Sequence, residues 1–176
     1  MNDLLLLAAL LPGPRHGYAL KQQVGLLTGK GTLHNNLVYP LLRRFVENGW
    51  VNRRQAEGER GQTREVYALT AKGKRELLGR LGTYGEEEAA SEAGFRLRVG
   101  LFGFLDASTR GRILDVRDKF LAAREERLSR ITSAMETGRW GSEVVQFFRE
   151  QVRVEREWIA RLARKAKREI RATPDA

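Results

Sequence analysis

The chain contains no cysteine and only two histidines among its 176 residues. The absence of thiols excludes disulfides, thiolate metal sites and a cysteine nucleophile. His16 and His34 fall on different predicted elements, with no carboxylates beside them at ligand spacing, so the sequence predicts no metal site. No nucleophile is paired with a base either. We therefore expect a protein that is not an enzyme and needs no cofactor.

Long hydrophobic runs are also missing. The apolar stretches at residues 4–11 and 99–105 are too short to span a bilayer, and the first lacks the basic flank and cleavage pattern of a signal peptide. Together with the missing cysteines, this predicts a soluble cytoplasmic protein with no membrane partner.

Acidic residues are in the minority, and the imbalance is uneven along the chain. Lys and Arg outnumber Asp and Glu by 32 to 22, which gives a formal net charge of +10. Residues 1–85 carry 13 basic and 6 acidic side chains, whereas residues 86–176 carry 19 and 16. The first half is therefore the basic half, and such an excess favours a polyanionic partner.

The first half has the pattern of a winged helix. Helical periodicity and breakers predict three helices, at residues 2–11, from residue 15 to Gly29, and at residues 32–48 with a start near His34 or Asn35. Two short strands follow at 50–56 and 64–69, joined by a turn with two glycines, and Thr70 is a good N-cap for a fourth helix from residue 71 to about 81. The predicted inward side of the third helix consists of Leu37, Val38, Leu41, Leu42 and Phe45.

The second half has the pattern of a helical hairpin. We predict one shorter helix at residues 91–105 and two long helices at about 108–137 and 142–171. Apolar residues recur every seven positions in both long helices, and one short break separates them, which is typical of an antiparallel pair. The predicted fold class is therefore mainly α with a small β-hairpin wing: a winged helix-turn-helix domain at 1–83, then a long-helix antiparallel pair in a domain at 84–176.

The heptads of the long helices also predict a homodimer. Arg117 and Arg124 interrupt the companion apolar seam, so a pair this narrow needs a second pair to cover it, unless the helices pack back on their own wing domain. The expected dimer-interface residues are Leu114, Leu121, Leu128, Phe148, Val152, Ile159 and Leu162.

The predicted third helix and the hairpin supply residues that suit DNA. With the inward side assigned, Asn35, Asn36, Tyr39 and Arg43 remain, and Arg60, Gln62, Thr63 and Arg64 lie at or beside the hairpin tip. Asn can pair with adenine, Arg with guanine, and Tyr with a phosphate oxygen. Any single Arg could equally be a solvated surface residue, but three helices, a hairpin and a basic half occur together.

Three segments resemble the PadR family of transcriptional regulators. They read PGPRHGYALK at residues 12–21, VYPLLRRFVENG at 38–49 and REVYALTAKG at 64–73. The resemblance covers about the first 80 residues and implies a winged-helix DNA-binding domain, a dimer built through C-terminal helices, and repression at a palindromic operator, relieved in some members by a small molecule. It also implies that Tyr39 and Arg43 lie on the recognition helix and that residues 60–64 form the wing. The chain departs from the family pattern just before Tyr39.

We therefore predict a homodimeric repressor that binds double-stranded DNA. Trp140 and Trp158 occur with aromatic neighbours on the last helix, where they either pack in the core or line a small-molecule effector pocket. Two other functions stay open: a helical protein-interaction module whose winged helix does not bind DNA, and an RNA-binding protein.

Overall fold

The computed structural model describes residues 2–27, 33–57, 63–134 and 139–172. They divide into two compact units, Met1–Thr83 and Tyr84–Ala176. The first unit contains helices α1 (Asn2–Ala8), α2 (Gly17–Leu27), α3 (Asn35–Glu47) and α4 (Ala71–Gly82), and strands β1 (Arg15–His16), β2 (Val51–Glu57) and β3 (Thr63–Leu69). The second contains α5 (Glu86–Ala89), α6 (Glu92–Gly100), a short 3-10 helix at Phe102–Phe104, α7 (Ala107–Ala134) and α8 (Arg139–Ala172).

The predicted fold class is confirmed. Three helices are followed by an antiparallel hairpin in the first unit, and the long helices α7 and α8 pack on each other in the second. The first unit has its own core, to which α1, α2, α3 and α4 all contribute. Its fully buried residues include Leu6, Leu7, Leu20, Val24, Val38, Leu42, Phe45, Leu77 and Leu81.

Helix α3 has one buried side and one exposed side. Val38, Leu42 and Phe45 are buried at helical spacing, as predicted, whereas Leu41 is half-buried. The prediction for Leu37 was wrong, because this side chain is 37% exposed. Leu37 directly precedes Val38 and so points about 100° away from it around the helix.

The ends of α3 follow from local chemistry. His34 is the extended N-cap residue. Pro40 lies in the second turn, so its missing amide removes one hydrogen bond to the carbonyl of residue 36. Gly49 has a φ of +68° and follows the C-cap residue Asn48, so glycine here lets the chain leave the helix in the left-handed conformation. The chain then enters β2.

The small sheet has three strands in the order β1-β3-β2, all antiparallel. The β2–β3 hairpin was predicted, but β1 was not: Arg15 and His16 were expected to open the second helix. They pair instead with Tyr67 and Val66 of β3. Two residues are too few to show the alternation by which a strand is recognised, so the pairing depends on contacts made about fifty positions away.

Helix α4 is anchored to the start of β2. The hydroxyl of Thr70 accepts from the Gly73 amide at 2.9 Å, which confirms the predicted cap. A Cβ on Gly73 would lie 2.0 Å from the carbonyl oxygen of Trp50. Glycine is therefore required at 73 for the close approach of helix and strand.

The second unit differs from prediction before its long helices. The single helix expected at 91–105 is instead α6 followed by the 3-10 helix, and α5 precedes it. Ser91 accepts from the Gly94 amide at 3.1 Å and so caps α6 at the predicted start. Helix α6 ends at Gly100, several residues earlier than predicted.

The long helices run antiparallel, as predicted. Residues 110, 117 and 129 of α7 bond to residues 169, 155 and 149 of α8, so rising numbers on one helix meet falling numbers on the other. The Arg117–Glu155 pair is bidentate. Arg117 does not leave a charged gap in the apolar seam: it is fully buried, pairs with Glu155 and donates to the Ala89 carbonyl of α5. Arg124 lies over the Phe148 ring at 5.4 Å.

Candidate nucleic-acid interface

One face of α3 is exposed because the opposite face is packed. Asn35, Asn36, Tyr39 and Arg43 are all exposed, and their positions fall within about 100° of arc around the helix. They therefore form a continuous polar face with amide, phenol and guanidinium groups, which are the groups that pair with base edges and phosphates.

Helix α2 adds a residue to this face that sequence reasoning missed. Lys21 Nζ donates to Asn35 Oδ1 at 3.2 Å and also lies 5.6 Å from the centre of the Tyr18 ring. A cationic side chain of α2 thus lies beside the exposed face of α3. Lys21 lies within the 12–21 segment, but its neighbour Asn35 is fourteen positions away, so only the fold brings the two together.

The hairpin presents arginines on both strands. Thr63 and Arg64 are exposed at the start of β3, whereas Arg60 and Gln62 lie outside the described residues. Arg53 and Arg54 on β2 are also exposed and were not predicted. Arg54 is opposite Val66 and Arg64 is opposite Ala56, so these two guanidinium groups project from the same face of the hairpin.

Glu65 is an acidic residue of β3, and both of its carboxylate oxygens accept hydrogen bonds. Arg53 Nη1 donates to Glu65 Oε1 at 3.0 Å, and the Tyr67 hydroxyl donates to Glu65 Oε2 at 2.7 Å. Burial, reinforced by this hydrogen bond to Glu65, raises the pKa of Tyr67. Tyr67 therefore remains a protonated donor at neutral pH.

A hollow of about 590 Å³ lies between α3, the start of α2 and strand β3. It is lined by His16, Gly17, Tyr18, Ala19, Tyr39, Arg64, Glu65 and Tyr67. The hollow brings together Tyr39 and Arg64, two of the predicted DNA-binding residues, which are 25 positions apart in the sequence.

The profile of the PadR-like family of transcriptional regulators matches residues 6–78, which hold the α3 face, the hairpin and this hollow. A Thermoplasma acidophilum protein, described as a candidate transcriptional regulator, is 33% identical over 45% of this chain and 75% of its own, with a TM-score of 0.42. The chain belongs to the PadR-like family. The resemblance seen in its three sequence segments is thus confirmed, and the family is one of regulators rather than enzymes.

Other solved structures are similar at lower identity. Bacillus subtilis PadR, in complex with operator DNA, is 16% identical over 93% of this chain and 96% of its own, with a TM-score of 0.46. A PadR family regulator from Clostridium difficile is 25% identical over 45% of this chain and 81% of its own, with a TM-score of 0.40. Superpositions this loose transfer no individual contact to this chain. The comparison with curated proteins gives no match.

In this PadR-like chain, the residues expected at a dimer interface lie mostly inside the second unit. Five of the seven are buried in the single chain: Leu114, Leu121, Leu128, Val152 and Ile159. Phe148 and Leu162 are half-buried. The predicted heptads therefore form the interior of one chain and leave little of their surface for a second.

A different row on α8 is exposed and apolar, and sequence reasoning missed it. Trp140 begins the row, and Val144, Phe147 and Val154 are 52%, 56% and 54% exposed. With Gln151 they recur at spacings of four and three, the period of a helix that contacts another helix. The sequence does carry a signal for this row, because its residues form a second heptad pattern on α8. That pattern is offset by one residue from the heptad pattern that forms the interior.

The two tryptophans proposed for an effector site are not brought together. Trp140 is exposed near the start of α8, whereas Trp158 packs edge-on against Phe95 at 5.7 Å. Eighteen residues of one helix separate them by about 27 Å. In a single chain they therefore cannot line one pocket.

Two further findings concern alternative functions. No helix in the described part of the chain is both long enough and apolar enough to cross a bilayer. Across residues 2–27, 33–57, 63–134 and 139–172, no group of three or more His, Asp or Glu side chains could hold a metal ion.

Proposed function

We propose that this PadR-like protein binds duplex DNA as a transcriptional repressor, with α3 in the major groove and the β2–β3 hairpin along the flanking backbone. The observation that carries the proposal is the exposed face of α3, bordered by Lys21 and by the arginines of the hairpin. It lies on the half of the chain with a net charge of +7. A helix with one packed and one polar face can enter a groove without losing its core contacts.

The side chains divide between two roles. Asn35, Asn36 and Arg43 suit base edges, because their groups can make paired hydrogen bonds to adenine or guanine. Arg54 and Arg64 suit phosphates, since they project from one face of a hairpin at the side of the helix. Arg60 and Gln62 are proposed to extend this backbone contact.

The second unit, residues 84–176, is proposed to form a homodimer. The exposed row of Trp140, Val144, Phe147 and Val154 supports this, because monomeric proteins rarely leave large apolar side chains aligned along a helix in water. A two-fold dimer would present two α3 helices to two half-sites of a palindrome. Occupation of such a site would repress transcription, and a small-molecule effector would act by favouring a dimer geometry that does not match the operator.

Fluorescence anisotropy with a duplex selected from a random-sequence pool by the full-length protein tests DNA binding. We expect tight binding to the selected duplex, weaker binding to its scrambled version, and a steep loss of affinity as salt rises, because phosphate contacts release counterions. Double-stranded RNA of matching sequence serves as competitor. Failure to select any duplex, or equal affinity for selected and scrambled DNA, would contradict the proposal, and preferential competition by RNA would favour an RNA-binding role.

A further inference from the structure

Gly17 occupies a tight position between the candidate recognition helix and the hairpin. It follows strand β1, whose residues Arg15 and His16 pair with Tyr67 and Val66 of β3. A Cβ built on Gly17 would lie 3.0 Å from Tyr39 Cε1, 3.4 Å from the Tyr39 hydroxyl and 3.4 Å from Tyr67 Cε2. The two tyrosine rings therefore close on the bare backbone of Gly17.

The two rings differ in burial and in hydrogen bonding. Tyr67 is buried, and its hydroxyl is tied to Glu65, which is tied in turn to Arg53 on the neighbouring strand. Tyr39 is exposed and lines the hollow beside Arg64. Tyr67 is thus held in place by its hydrogen bond. The position of the Tyr39 ring depends on Tyr67 and on the backbone of Gly17.

We propose that Gly17 and Tyr67 are positioning residues that hold the Tyr39 ring in place for a contact with a DNA phosphate. This inference rests on the proposed DNA-binding function and adds residues outside α3 to it. A side chain that is already fixed in the free protein loses less freedom on binding, and its hydroxyl meets the phosphate oxygen without rearrangement. Strand β1 is the element that makes this possible, because it places Gly17 beside Tyr67.

Gly17→Ala is the direct test, because its methyl group would displace the Tyr39 ring. We expect affinity for the selected duplex to fall about tenfold, as is usual for coupling between residues in contact. In a Tyr39→Ala background the methyl group has no ring to displace, so Gly17→Ala should cause no further loss. A role in stability alone would give additive losses of affinity in the double variant.

Gly79→Ala is the matched control. A Cβ on Gly79 meets no described atom within 4 Å, so this change should leave affinity unaltered. Tyr67→Phe is the second variant, since it keeps the aromatic ring but removes its hydrogen bond to Glu65. It should weaken binding less than Gly17→Ala, and it should also lose its effect in the Tyr39→Ala background.

The outcomes separate this inference from the proposed function. Binding by the unchanged protein, with additive effects of Gly17→Ala and Tyr39→Ala or with no effect of Gly17→Ala, would overturn the positioning role alone. No binding by the unchanged protein would overturn the proposed function and this role with it. If Gly17→Ala does not fold, as judged by circular dichroism, Tyr67→Phe takes its place. Its effect on affinity is then compared in the presence and absence of Tyr39→Ala, and additive losses would overturn the positioning role.

Discussion

Arg43 and Arg44 are sequence neighbours with the same charge and different surroundings. Arg43 lies on the exposed face of α3 with Asn36 and Tyr39, whereas Arg44 points elsewhere and lies 4.0 Å from Asp3 of α1. A difference in DNA affinity between variants at these two positions would therefore reflect where the arginine lies on the helix, because the charge removed is the same.

Arg43→Ala should weaken binding to the selected duplex by about 1–3 kcal/mol, because the proposed bidentate contact with a base would be lost. Arg64→Ala should also weaken binding and should lower the slope of log affinity against log salt by about one, since Arg64 is assigned to a phosphate. Anisotropy across a salt series measures both. Both variants should melt close to the unchanged protein, because both side chains are exposed.

Arg44→Ala is the control for these variants, and its effect on affinity should be smaller. An equal loss for Arg43→Ala and Arg44→Ala would show that the helix contributes charge without base contact. A large fall in the melting temperature of Arg43→Ala would show that its face of α3 is packed.

Glycines 73 and 79 lie on the same helix and differ in available space. Gly73→Ala should lower the free energy of unfolding by about 1–3 kcal/mol, as overpacking does, because its Cβ would overlap the Trp50 carbonyl oxygen. Gly79→Ala should raise it by up to about 1 kcal/mol, because alanine favours a helix interior. Urea unfolding followed by circular dichroism measures both. Equal effects at the two positions would contradict the proposed close approach of α4 and β2.

At the scale of elements, an internal ion pair connects the two long helices. Arg117 has no exposed side-chain surface, and Glu155 is 15% exposed. Arg117 also donates to the Ala89 carbonyl, so this guanidinium group of α7 contacts both α5 and α8. Removal of the carboxylate from such a pair destabilises the fold, because the remaining buried charge then lacks both water and a counter-ion.

Glu155→Ala should therefore destabilise the second unit by about 3–5 kcal/mol. Glu157→Ala removes the same charge from the same helix, but its partner Arg153 is exposed, so the expected cost is below about 1 kcal/mol. Differential scanning calorimetry of the full chain measures the difference between the two variants. Similar melting temperatures would show that the Arg117 pair contributes little.

The elements that sequence predicted well are those with local causes. The end of α3 at Gly49 and the cap of α4 at Thr70 depend on residues within one helical turn. Strand β1 and the burial of Arg117 depend on partners 38 to 52 residues away, which no local pattern reveals. The same holds in the candidate site: the α3 face was predicted, whereas Lys21, Arg53, Arg54 and Gly17 were missed.

At the scale of the whole molecule, the exposed row on α8 is the surface on which a dimer would depend. Phe147→Glu should convert a dimer to a monomer, because a carboxylate in an apolar contact loses its water. DNA affinity should fall as the dimer dissociates, since two linked winged-helix domains bind more tightly than one. Sedimentation equilibrium and anisotropy on the same samples measure the two effects.

Gln146→Glu is the control, because it adds the same charge to α8 outside the row. A dimer that survives Phe147→Glu would exclude the row as its interface. A monomeric unchanged protein at micromolar concentration would exclude the homodimer itself.

The sequence by itself determined the order of the longer helices and of the β2–β3 hairpin, the basic first half and the family. These are encoded by periodicity, turn residues and short segments whose causes are local or compositional. Only the tertiary structure decided which of two heptads on α8 is interior, that Arg117 is buried, and that Gly17 lies against Tyr39. The physical reason is that burial and close contact belong to pairs of residues far apart in the chain, and the chain must fold before such pairs exist.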